Sequence, residues 1–295
     1  MSTENSDIIY HYTSAEAAYF ILSSQQIRMS SPEALNDSKE LKVLSEALAE
    51  IVSRSKGEGH IRETDKRFFS YQIPPIVEAD EKEHLYHIAS FSKQGDSLSQ
   101  WRSYSDDARG IAIGFDKHEL WNYIKENNSN PLSNSIDIHE CAYTLEEKSK
   151  VFKEISDSFL IDLFKWQNSL TTASPQTSHR TFESDILKVI PKMKTEAFKE
   201  EEEIRVVRKF SKNNLSTNLR EEKDNQQSPS VEFKLSNGAI TSFSNLKFDP
   251  SVVKRIILGP KCPIDKDSTD LKMFLESVGV EVNDDTIDKS AASYR

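Results

Sequence analysis

The chain has 295 residues, of which 36% are hydrophobic and 29% charged, and its formal net charge is −10 at pH 7. This balance is typical of a well-solvated protein and argues against broad electrostatic capture of nucleic acid or of an anionic membrane, although a local basic patch is compatible with it. The two cysteines, Cys141 and Cys262, lie far apart and outside any CxxC pattern, which argues against a disulfide framework and a zinc site.

Compartment and domain organisation also follow from simple patterns. No apolar run approaches the roughly 18 residues that span a bilayer, and residues 1–7 are polar and acidic, unlike a signal peptide. We therefore predict a cytoplasmic protein that does not bind a membrane. Because no stretch is a convincing linker, we predict a single domain over residues 1–295, with a mobile polar excursion near residues 212–230.

The first predicted element is a short strand that ends in a histidine and turns into a helix. Residues 8–10 have the β-branched and aromatic bias of a buried strand, and Thr13 precedes Glu16 by three residues, as in a helix-capping box. The His11 imidazole would then lie beside the unpaired N–H groups of a helix N-terminus, where an anionic or hydroxyl-rich ligand can bind. The alternative is that His11 is a structural histidine in the core. This segment, taken by itself, favours that interpretation.

The remaining predicted elements mix helices and strands without regular alternation. Further strands are predicted at residues 27–30, 85–92, 109–115, 201–210, 231–235, 239–243, 252–258 and 280–282. Helices are predicted at residues 39–53, around residues 152–166 and 182–190, and at 268–277, with breaks at Pro74-Pro75 and at Pro191. Another helix is predicted after Asp116, which with Glu119 repeats the capping pattern. Such an order favours an α+β fold over a doubly wound sheet.

Three separated segments carry residues that are suited to chemistry. They are His11 with Thr13; Ser90, Phe91 and Ser92 followed by Trp101 and Tyr104; and the run from Glu201 to Arg205. For Trp101 taken alone, core packing is the preferred interpretation.

The third segment combines carboxylates with an apolar strand. In an extended strand Glu201, Glu203 and Arg205 project from one face, and Ile204 and Val206 from the other. Four consecutive glutamates are usually a solvated run. Here the run passes directly into apolar residues, so its carboxylates can lie at the edge of a core, where pKa values are easily shifted.

Together these residue types suit cleavage of an N-glycosidic bond. The reaction passes through an oxocarbenium-like state, which a carboxylate near the ribose stabilises. Tyr104 or Trp101 could stack on a flat cationic leaving group such as nicotinamide, and His11 could fix the ribose through its hydroxyls. Three arginines are candidates for pairing with a diphosphate: Arg28, Arg205 and Arg208.

A series of short motifs runs nearly from end to end of the chain. They are Tyr10 to Thr13; Asn36, Asp37 and Glu40; Phe91 and Ser92; Trp101 and Tyr104; Gly110, Gly114 and Phe115; Phe198, Glu201, Glu203 and Arg205; and Ser290, Tyr294 and Arg295. In this order they resemble a bacterial domain family of unknown function that occurs in phage-defence and mobile-element settings. Ser38 departs from that family, which usually has proline at this position.

A more remote resemblance concerns the order of the chemical segments. A strand histidine with threonine, a mid-chain Phe-Ser strand and a late Glu-x-Glu strand are similar to those of ADP-ribosyltransferases, in the branch of DarT-like toxins and RNA 2′-phosphotransferases. The resemblance implies a split, mixed β-sheet with flanking helices and with NAD, as a substrate, in a central cleft. It further implies that Glu203 is the catalytic carboxylate, that Glu201 orients the acceptor and that His11 contacts the ribose. The His11 imidazole and the Glu203 carboxylate are therefore expected to converge on the same hollow.

The same resemblance, together with the residue types, gives a set of expected NAD contacts and no metal ligand. Besides His11 they are Tyr12, Thr13, Arg28, Ser92, Trp101, Tyr104 and Arg205. The spacing of Tyr104 departs from that superfamily.

The functional hypothesis is an NAD-dependent ADP-ribosyltransferase that acts as a toxin or defence effector. Its acceptor would be RNA, DNA or a protein, and an antitoxin or another defence-system protein is a candidate partner. One alternative is a non-catalytic nucleotide-binding sensor or regulatory subunit. Another is a metal-dependent nuclease that uses Asp37, Glu40, Glu201 and Glu203, although such a site usually also needs a lysine or a basic groove.

Overall fold

The computed structural model describes residues 7–32, 63–128, 134–172, 174–213, 231–236 and 238–294. The motif residues Asn36, Asp37, Glu40 and Arg295, the predicted helix at 39–53 and most of the predicted polar excursion lie outside these ranges. The chain forms two compact units, which we call the sheet unit (Met1–Ala34, Tyr86–Glu140 and Glu200–Arg295) and the helical unit (Leu35–Leu85 and Cys141–Lys199).

The secondary structure follows a mixed order along the chain. The strands are β1 (Ile8–Thr13), β2 (Gln26–Ser30), β3 (His84–Ser92), β4 (Ile111–Asp116), β5 (Asn134–Glu140), β6 (Glu203–Ser211), β7 (Glu232–Ser236), β8 (Ala239–Lys247), β9 (Val253–Leu258) and β10 (Ile287–Lys289). The α-helices are α1 (Ala15–Ser24), α2 (Glu63–Glu83), α3 (Leu98–Tyr104), α4 (Lys117–Asn128), α5 (Leu145–Gln167), α6 (Pro175–Val189) and α7 (Thr269–Ser277). Short 3₁₀ helices occur at Ile190–Lys192, Glu196–Glu201 and Pro250–Val252.

The sheet unit is built on one large mixed sheet. Its strand order is β10-β9-β4-β1-β3-β2-β8-β7, and β6 pairs with both β3 and β5. Strands β9 and β10 pair in parallel, whereas pairs such as β1–β4 and β2–β8 are antiparallel. The predicted α+β class, with a mixed sheet and flanking helices, is therefore confirmed. None of the described helices is long and apolar enough to cross a bilayer.

Strand β6 lies along one edge of β3. At one end, Lys93 donates its backbone N–H to the carbonyl oxygen of Glu202, just before β6, at 3.1 Å. Towards the other end, the His87 ring of β3 contacts the Phe210 ring of β6, with centroids 5.1 Å apart. These two contacts show that β6 accompanies β3 over most of its length.

The opposite edge of β3 is shared by two strands, and this splits the sheet. Tyr10 of β1 lies opposite Ser92, and Ser30 of β2 lies opposite Ile88. Because a strand has only two edges and β6 occupies one of them, β1 and β2 must separate along the other. One half of the sheet therefore continues through β4, β9 and β10, and the other through β8 and β7.

Side-chain alternation defines two faces of this sheet. The core face carries apolar residues of the largest hydrophobic cluster: Ile9, Ile27, Met29, Ala89, Phe91, Ile113, Phe115, Ile204, Val206 and Leu246. We call the opposite face the tyrosine face, after Tyr10 and Tyr12 of β1, which pack with Trp101. By register and alternation it also carries polar residues of five strands: Arg28, Ser30, Ser90, Ser92, Glu203, Arg205, Lys234, Thr241 and Asn245.

The helical unit has a separate apolar core from helices α2, α5 and α6, around Phe152, Phe159 and Phe182. Helix α2 continues through Pro74 and Pro75, so the predicted break there is wrong. The residues next to the prolines, at 73, 76 and 77, are buried in this core. Their burial outweighs the backbone hydrogen bonds that two prolines remove.

One predicted helix cap is confirmed, and in a second helix the capping residue is one position later than predicted. The Asp116 carboxylate accepts the backbone N–H groups of His118 and Glu119 at 2.9 Å each, as the capping pattern predicted. At α1 the capping side chain is that of Ser14, which accepts from the N–H of Ala17 at 3.1 Å. Thr13 is instead the last residue of β1.

One predicted strand is absent, and one observed strand was not predicted. The predicted strand at residues 280–282 is absent: Val280 is buried against the main cluster, and a turn leads from there to β10. In that turn the Thr286 hydroxyl accepts the Asn283 N–H at 2.9 Å. Strand β5 was not predicted, because its side chains are largely polar and its order comes from pairing with β6.

The buried histidine of β3 makes stability depend on pH. His87 is fully buried on the core face, and its Nε2 lies 3.0 Å from the Ser242 hydroxyl. Burial, assisted by the nearby Arg208 guanidinium, lowers the pKa of His87 from 6.5 to about 4. The unfolded chain therefore binds this proton first, so the stabilisation is complete above the unfolded value and is lost as the pH falls towards the folded one.

We expect the His87→Gln variant, which keeps a hydrogen-bonding group and cannot titrate in this range, to lose less stability in acid. Between about pH 7 and about pH 5, wild type should lose about 2 kcal/mol more unfolding free energy than the variant. Urea denaturation at the two pH values measures this difference. Carboxylate titrations are common to both proteins and cancel, so equal losses would show that His87 is not kept neutral by the fold.

Candidate active site

Glu203, the first residue of β6, forms a buried ion pair with Arg205 of the same strand. Glu203 is 5% and Arg205 1% exposed. The Arg205 Nε donates to Glu203 Oε1 and its Nη2 donates to Oε2, both at 3.0 Å. Residues two apart on a strand share a face, so the Glu-x-Arg sequence itself allows this two-pronged pairing. The pair offsets part of the cost of burying either charge and fixes the orientation of the carboxylate.

A backbone kink separates Glu201 from Glu203. Glu201 ends a 3₁₀ helix, and Glu202 has a φ of 41°, a left-handed conformation that costs a non-glycine residue about 1–2 kcal/mol. Two hydrogen bonds hold the kink: the Ser92 hydroxyl donates to the Glu201 carbonyl oxygen at 2.7 Å, and the Lys93 N–H donates to that of Glu202 at 3.1 Å. The predicted continuous strand from residue 201 is therefore wrong.

Tyr104, the last residue of α3, reaches the side chain of Glu201. Its hydroxyl donates to Glu201 Oε1 at 3.0 Å. Glu201 is 8% exposed, whereas Tyr104 is 37% exposed. The phenol thus joins a buried carboxylate to a ring surface that is open to solvent, which brings together two of the predicted site residues.

Trp101 holds α3 on the tyrosine face. It is completely buried, packs edge-on against Tyr12 with ring centroids 4.7 Å apart, and donates its indole N–H to Asp96 Oδ1 at 2.6 Å. Because no face of the indole is open, the expected stacking of Trp101 on nicotinamide is corrected: it is a core residue. Of the two predicted aromatic contacts, Tyr104 is the accessible one.

His11 lies where β1 separates from β3. Its Nδ1 is 2.9 Å from the carbonyl oxygen of Ser90, and since a carbonyl only accepts, Nδ1 carries the proton. The imidazole thereby supplies a hydrogen bond that a neighbouring strand would otherwise make. Burial lowers the pKa of His11, against the opposing effect of the Ser90 hydrogen bond, which favours the neutral ring.

His11 and Glu203 lie on different faces of the sheet. His11 follows Ile9 by two residues on β1 and contacts the Phe91 ring, 5.7 Å between centroids, so it belongs to the core face. Glu203 alternates with Ile204 and therefore lies on the tyrosine face. The expected convergence of imidazole and carboxylate in one hollow is not supported by this alternation. A ribose contact by His11 stays a prediction, and it requires a ligand that enters at the split.

Tyr12 and Thr13, the last two residues of β1, are both buried. They are 7% and 9% exposed. The Tyr12 hydroxyl donates to the Gln94 carbonyl oxygen at 2.7 Å and accepts the Ser97 N–H at 3.0 Å, and burial raises the pKa of the phenol. Tyr12 thus holds the loop that leads to α3 and so positions Tyr104. Its own ring is buried and offers no open surface to a ligand.

The three candidate arginines lie in three different environments. Arg205 is held by Glu203. Arg208 is buried on the core face, where its Nη1 donates to the Ser244 hydroxyl at 3.2 Å, and burial lowers its pKa to about 10. Arg28 is exposed on the tyrosine face, with its guanidinium carbon 4.7 Å from the centre of the Phe243 ring.

The C-terminal segment contributes contacts to which no role was assigned from the sequence. The Ser290 hydroxyl donates to the same Asp96 oxygen that accepts the Trp101 indole. The Tyr294 hydroxyl donates to Asp107, just after α3. The closing Ser…Tyr motif was the available signal, and its function here is to fasten the segment that carries Tyr104.

Within the described ranges, no group of three or more His, Cys, Asp and Glu side chains is arranged to hold a metal ion. Two of the four residues in the nuclease interpretation, Asp37 and Glu40, lie outside those ranges. The other two are Glu201, bound by Tyr104, and Glu203, bound by Arg205.

Comparison with known proteins adds one match. A family described as a protein of unknown function (DUF2971) matches residues 100–206. The matched region includes Tyr104, Glu201, Glu203 and Arg205, and it supports the expected resemblance to a domain family of unknown function. Neither a curated protein nor a solved structure matches the chain.

Proposed function

We propose that the protein is an NAD-dependent ADP-ribosyltransferase whose catalytic groups lie at the start of β6. The observation that carries the proposal is the arrangement of two buried carboxylates at a strained turn, Glu203 on Arg205 and Glu201 on Tyr104. Both are held in fixed orientations, and backbone strain of this kind occurs preferentially at functional sites.

Glu203 is assigned to the ribose. When the bond between ribose C1′ and the nicotinamide nitrogen breaks, the electron pair leaves with nicotinamide and positive charge develops on the sugar. A carboxylate that is already oriented stabilises that charge without reorganising. Arg205 supplies the orientation through its two hydrogen bonds to the carboxylate.

Glu201 is assigned to the acceptor. Its carboxylate takes the proton of the attacking hydroxyl or nitrogen group as that group forms a bond to C1′. The Tyr104 hydroxyl orients the carboxylate, and the exposed ring of Tyr104 offers a stacking surface for the departing nicotinamide. The proposal includes RNA, DNA or a protein as the acceptor. It also includes a role in toxicity or defence, with an antitoxin or another protein as partner.

A nucleotide-binding sensor without turnover is the second candidate. One observation favours it: both oxygens of Glu203 accept from Arg205, and a carboxylate shared with a guanidinium offers less negative charge to a developing cation. The same pairing weighs against a nuclease, because a metal ion at Glu203 would have to displace the guanidinium.

Incubation of the purified full chain with NAD tests the proposal. Nicotinamide release is followed by chromatography, with and without EDTA and with RNA, DNA or protein as acceptor. We expect release that persists in EDTA and increases with the correct acceptor. Tight nucleotide binding without release would favour the sensor, and EDTA-sensitive loss of RNA or DNA would favour the nuclease.

The two roles of Tyr104 can be separated by two substitutions. Tyr104→Phe removes only the hydroxyl on Glu201, so kcat should fall about tenfold, the worth of one net hydrogen bond, with little change in KM for NAD. Tyr104→Ala also removes the stacking surface and should raise KM. Tyr123→Phe on α4 is the matched control and should leave both constants unchanged. Equal effects of the Phe and Ala variants would contradict the assigned roles.

A further inference from the structure

A second polar cluster lies on the tyrosine face, on strands β2, β8 and β7. Ser30 of β2 lies opposite Phe243 of β8, and Lys234 of β7 lies opposite Thr241 of β8. Directly opposite residues share a face, and Arg28 shares that of Ser30 because it is two residues away on the same strand. Three neighbouring strands thus present two cations and two hydroxyl groups on one side.

The two cations, Arg28 and Lys234, lie near each other on this face. The Arg28 guanidinium stacks on Phe243, and Lys234 Nζ is 3.5 Å from the Ser30 hydroxyl. Partial burial and the charge of Arg28 lower the pKa of Lys234. Among the residues that the structure describes, no carboxylate pairs with either cation, and Glu232 on the same face accepts a hydrogen bond from the Asn245 amide at 2.8 Å instead.

Thr241 adds an unsatisfied hydrogen-bonding group to this cluster. It is 8% exposed, and its hydroxyl has no hydrogen-bond partner within the described part of the chain. Buried hydroxyl groups in folded proteins are nearly always hydrogen-bonded. A ligand that brings acceptor oxygens and negative charge would satisfy Thr241 and relieve the repulsion between Arg28 and Lys234.

We infer that Arg28, Ser30, Lys234 and Thr241 form a binding site for the diphosphate group of a nucleotide. A diphosphate supplies several acceptor oxygens and about the charge that two cations balance. Strands β6 and β2 both adjoin β3, so the cluster lies on the same face of the same sheet as Glu203. The identity of the nucleotide as NAD rests on the proposed function, whereas the diphosphate site itself does not.

Binding of inorganic pyrophosphate, ADP and orthophosphate to the full chain, measured by titration calorimetry, tests the inference. Pyrophosphate and ADP should bind more tightly than orthophosphate. Lys234→Met and Arg28→Gln should each weaken pyrophosphate binding at least about tenfold, the worth of one charge-assisted hydrogen bond. Lys247 is an exposed lysine at the end of β8, the strand that carries Thr241. Lys247→Met is therefore the control and should bind pyrophosphate as wild type does.

Thr241→Val separates binding from folding. Since the hydroxyl has no described partner, the variant should keep the wild-type Tm or exceed it, yet bind pyrophosphate several-fold more weakly. A lower Tm with unchanged binding would assign Thr241 to folding and overturn its part in the site. Wild-type protein that binds neither pyrophosphate nor ADP at about 10 mM, where even a millimolar Kd would be detected, would overturn the whole inference.

The test of the diphosphate site can fail or succeed independently of the test of the transferase. Variant-sensitive pyrophosphate binding without nicotinamide release would retain this site and refute the transferase. Nicotinamide release with an unchanged KM for NAD in Lys234→Met and Arg28→Gln would retain the transferase and refute NAD as the nucleotide whose diphosphate binds at this site. A single-stranded oligonucleotide that binds more tightly than ADP with the same variant sensitivity would refute a nucleotide diphosphate as the ligand.

Discussion

Glu203→Gln is expected to reduce nicotinamide release from NAD by about 10³-fold, because it removes the charge that stabilises the oxocarbenium-like state. The variant keeps the volume of the side chain and one acceptor for Arg205. Release is measured under saturating NAD, with Tm recorded for the same preparations. Binding of NAD should change much less than kcat, since a charge that acts on the transition state contributes little to ground-state affinity.

The neighbouring glutamates provide the control. Glu200 belongs to the same acidic run but is exposed, so Glu200→Gln should retain full activity. A folded Glu203→Gln variant that releases nicotinamide at the wild-type rate would remove Glu203 from the catalytic machinery. If Glu203→Gln lost its fold, the Glu203→Gln/Arg205→Gln double variant, with no unbalanced buried charge, would provide the measurement in its place.

Strands and helices with strong local patterns were predicted close to where they occur. The predicted helix at 268–277 is α7 at Thr269–Ser277, and the predicted strand at 252–258 is β9 at Val253–Leu258. For the helix, hydrophobic spacing and the capping residue Ser268 act over a few neighbouring positions, and for the strand a short run of apolar, β-branched residues does so. Strand β5 lacked such a pattern, because pairing with β6 rather than its own side chains determines its conformation.

The geometry of the site depends on contacts between distant parts of the chain. The kink at Glu202 cannot be read from a run of glutamates, since it is held by Ser92 and Lys93, more than a hundred residues earlier. The assignment of His11 and Glu203 to different faces requires the pairing of β1 and β6 with β3. Lys234 was not singled out from the sequence, because its partner Ser30 is 204 residues away.

Arg205→Met is expected to lower the free energy of unfolding by about 3–5 kcal/mol, because it leaves the Glu203 carboxylate buried without the guanidinium that donates to both of its oxygens. Urea denaturation should show a lower midpoint with an unchanged m value. Lys93→Met breaks an ion pair with Glu140 whose side chains are 40% and 54% exposed, so it should cost no more than about 1 kcal/mol. An equally small loss for Arg205→Met would mean that the buried pair does not determine stability.

The double variant Glu203→Leu/Arg205→Met completes this test. Replacing both members of a buried ion pair by apolar side chains of similar volume is often neutral or stabilising, so most of the lost stability should return. The same protein should release no nicotinamide, since the carboxylate is gone. Stability without activity would show that folding does not require this pair of charges, and that the fold bears the cost of burying them for the chemistry proposed at Glu203. A double variant as unstable as Arg205→Met would instead assign the pair to the architecture of β6.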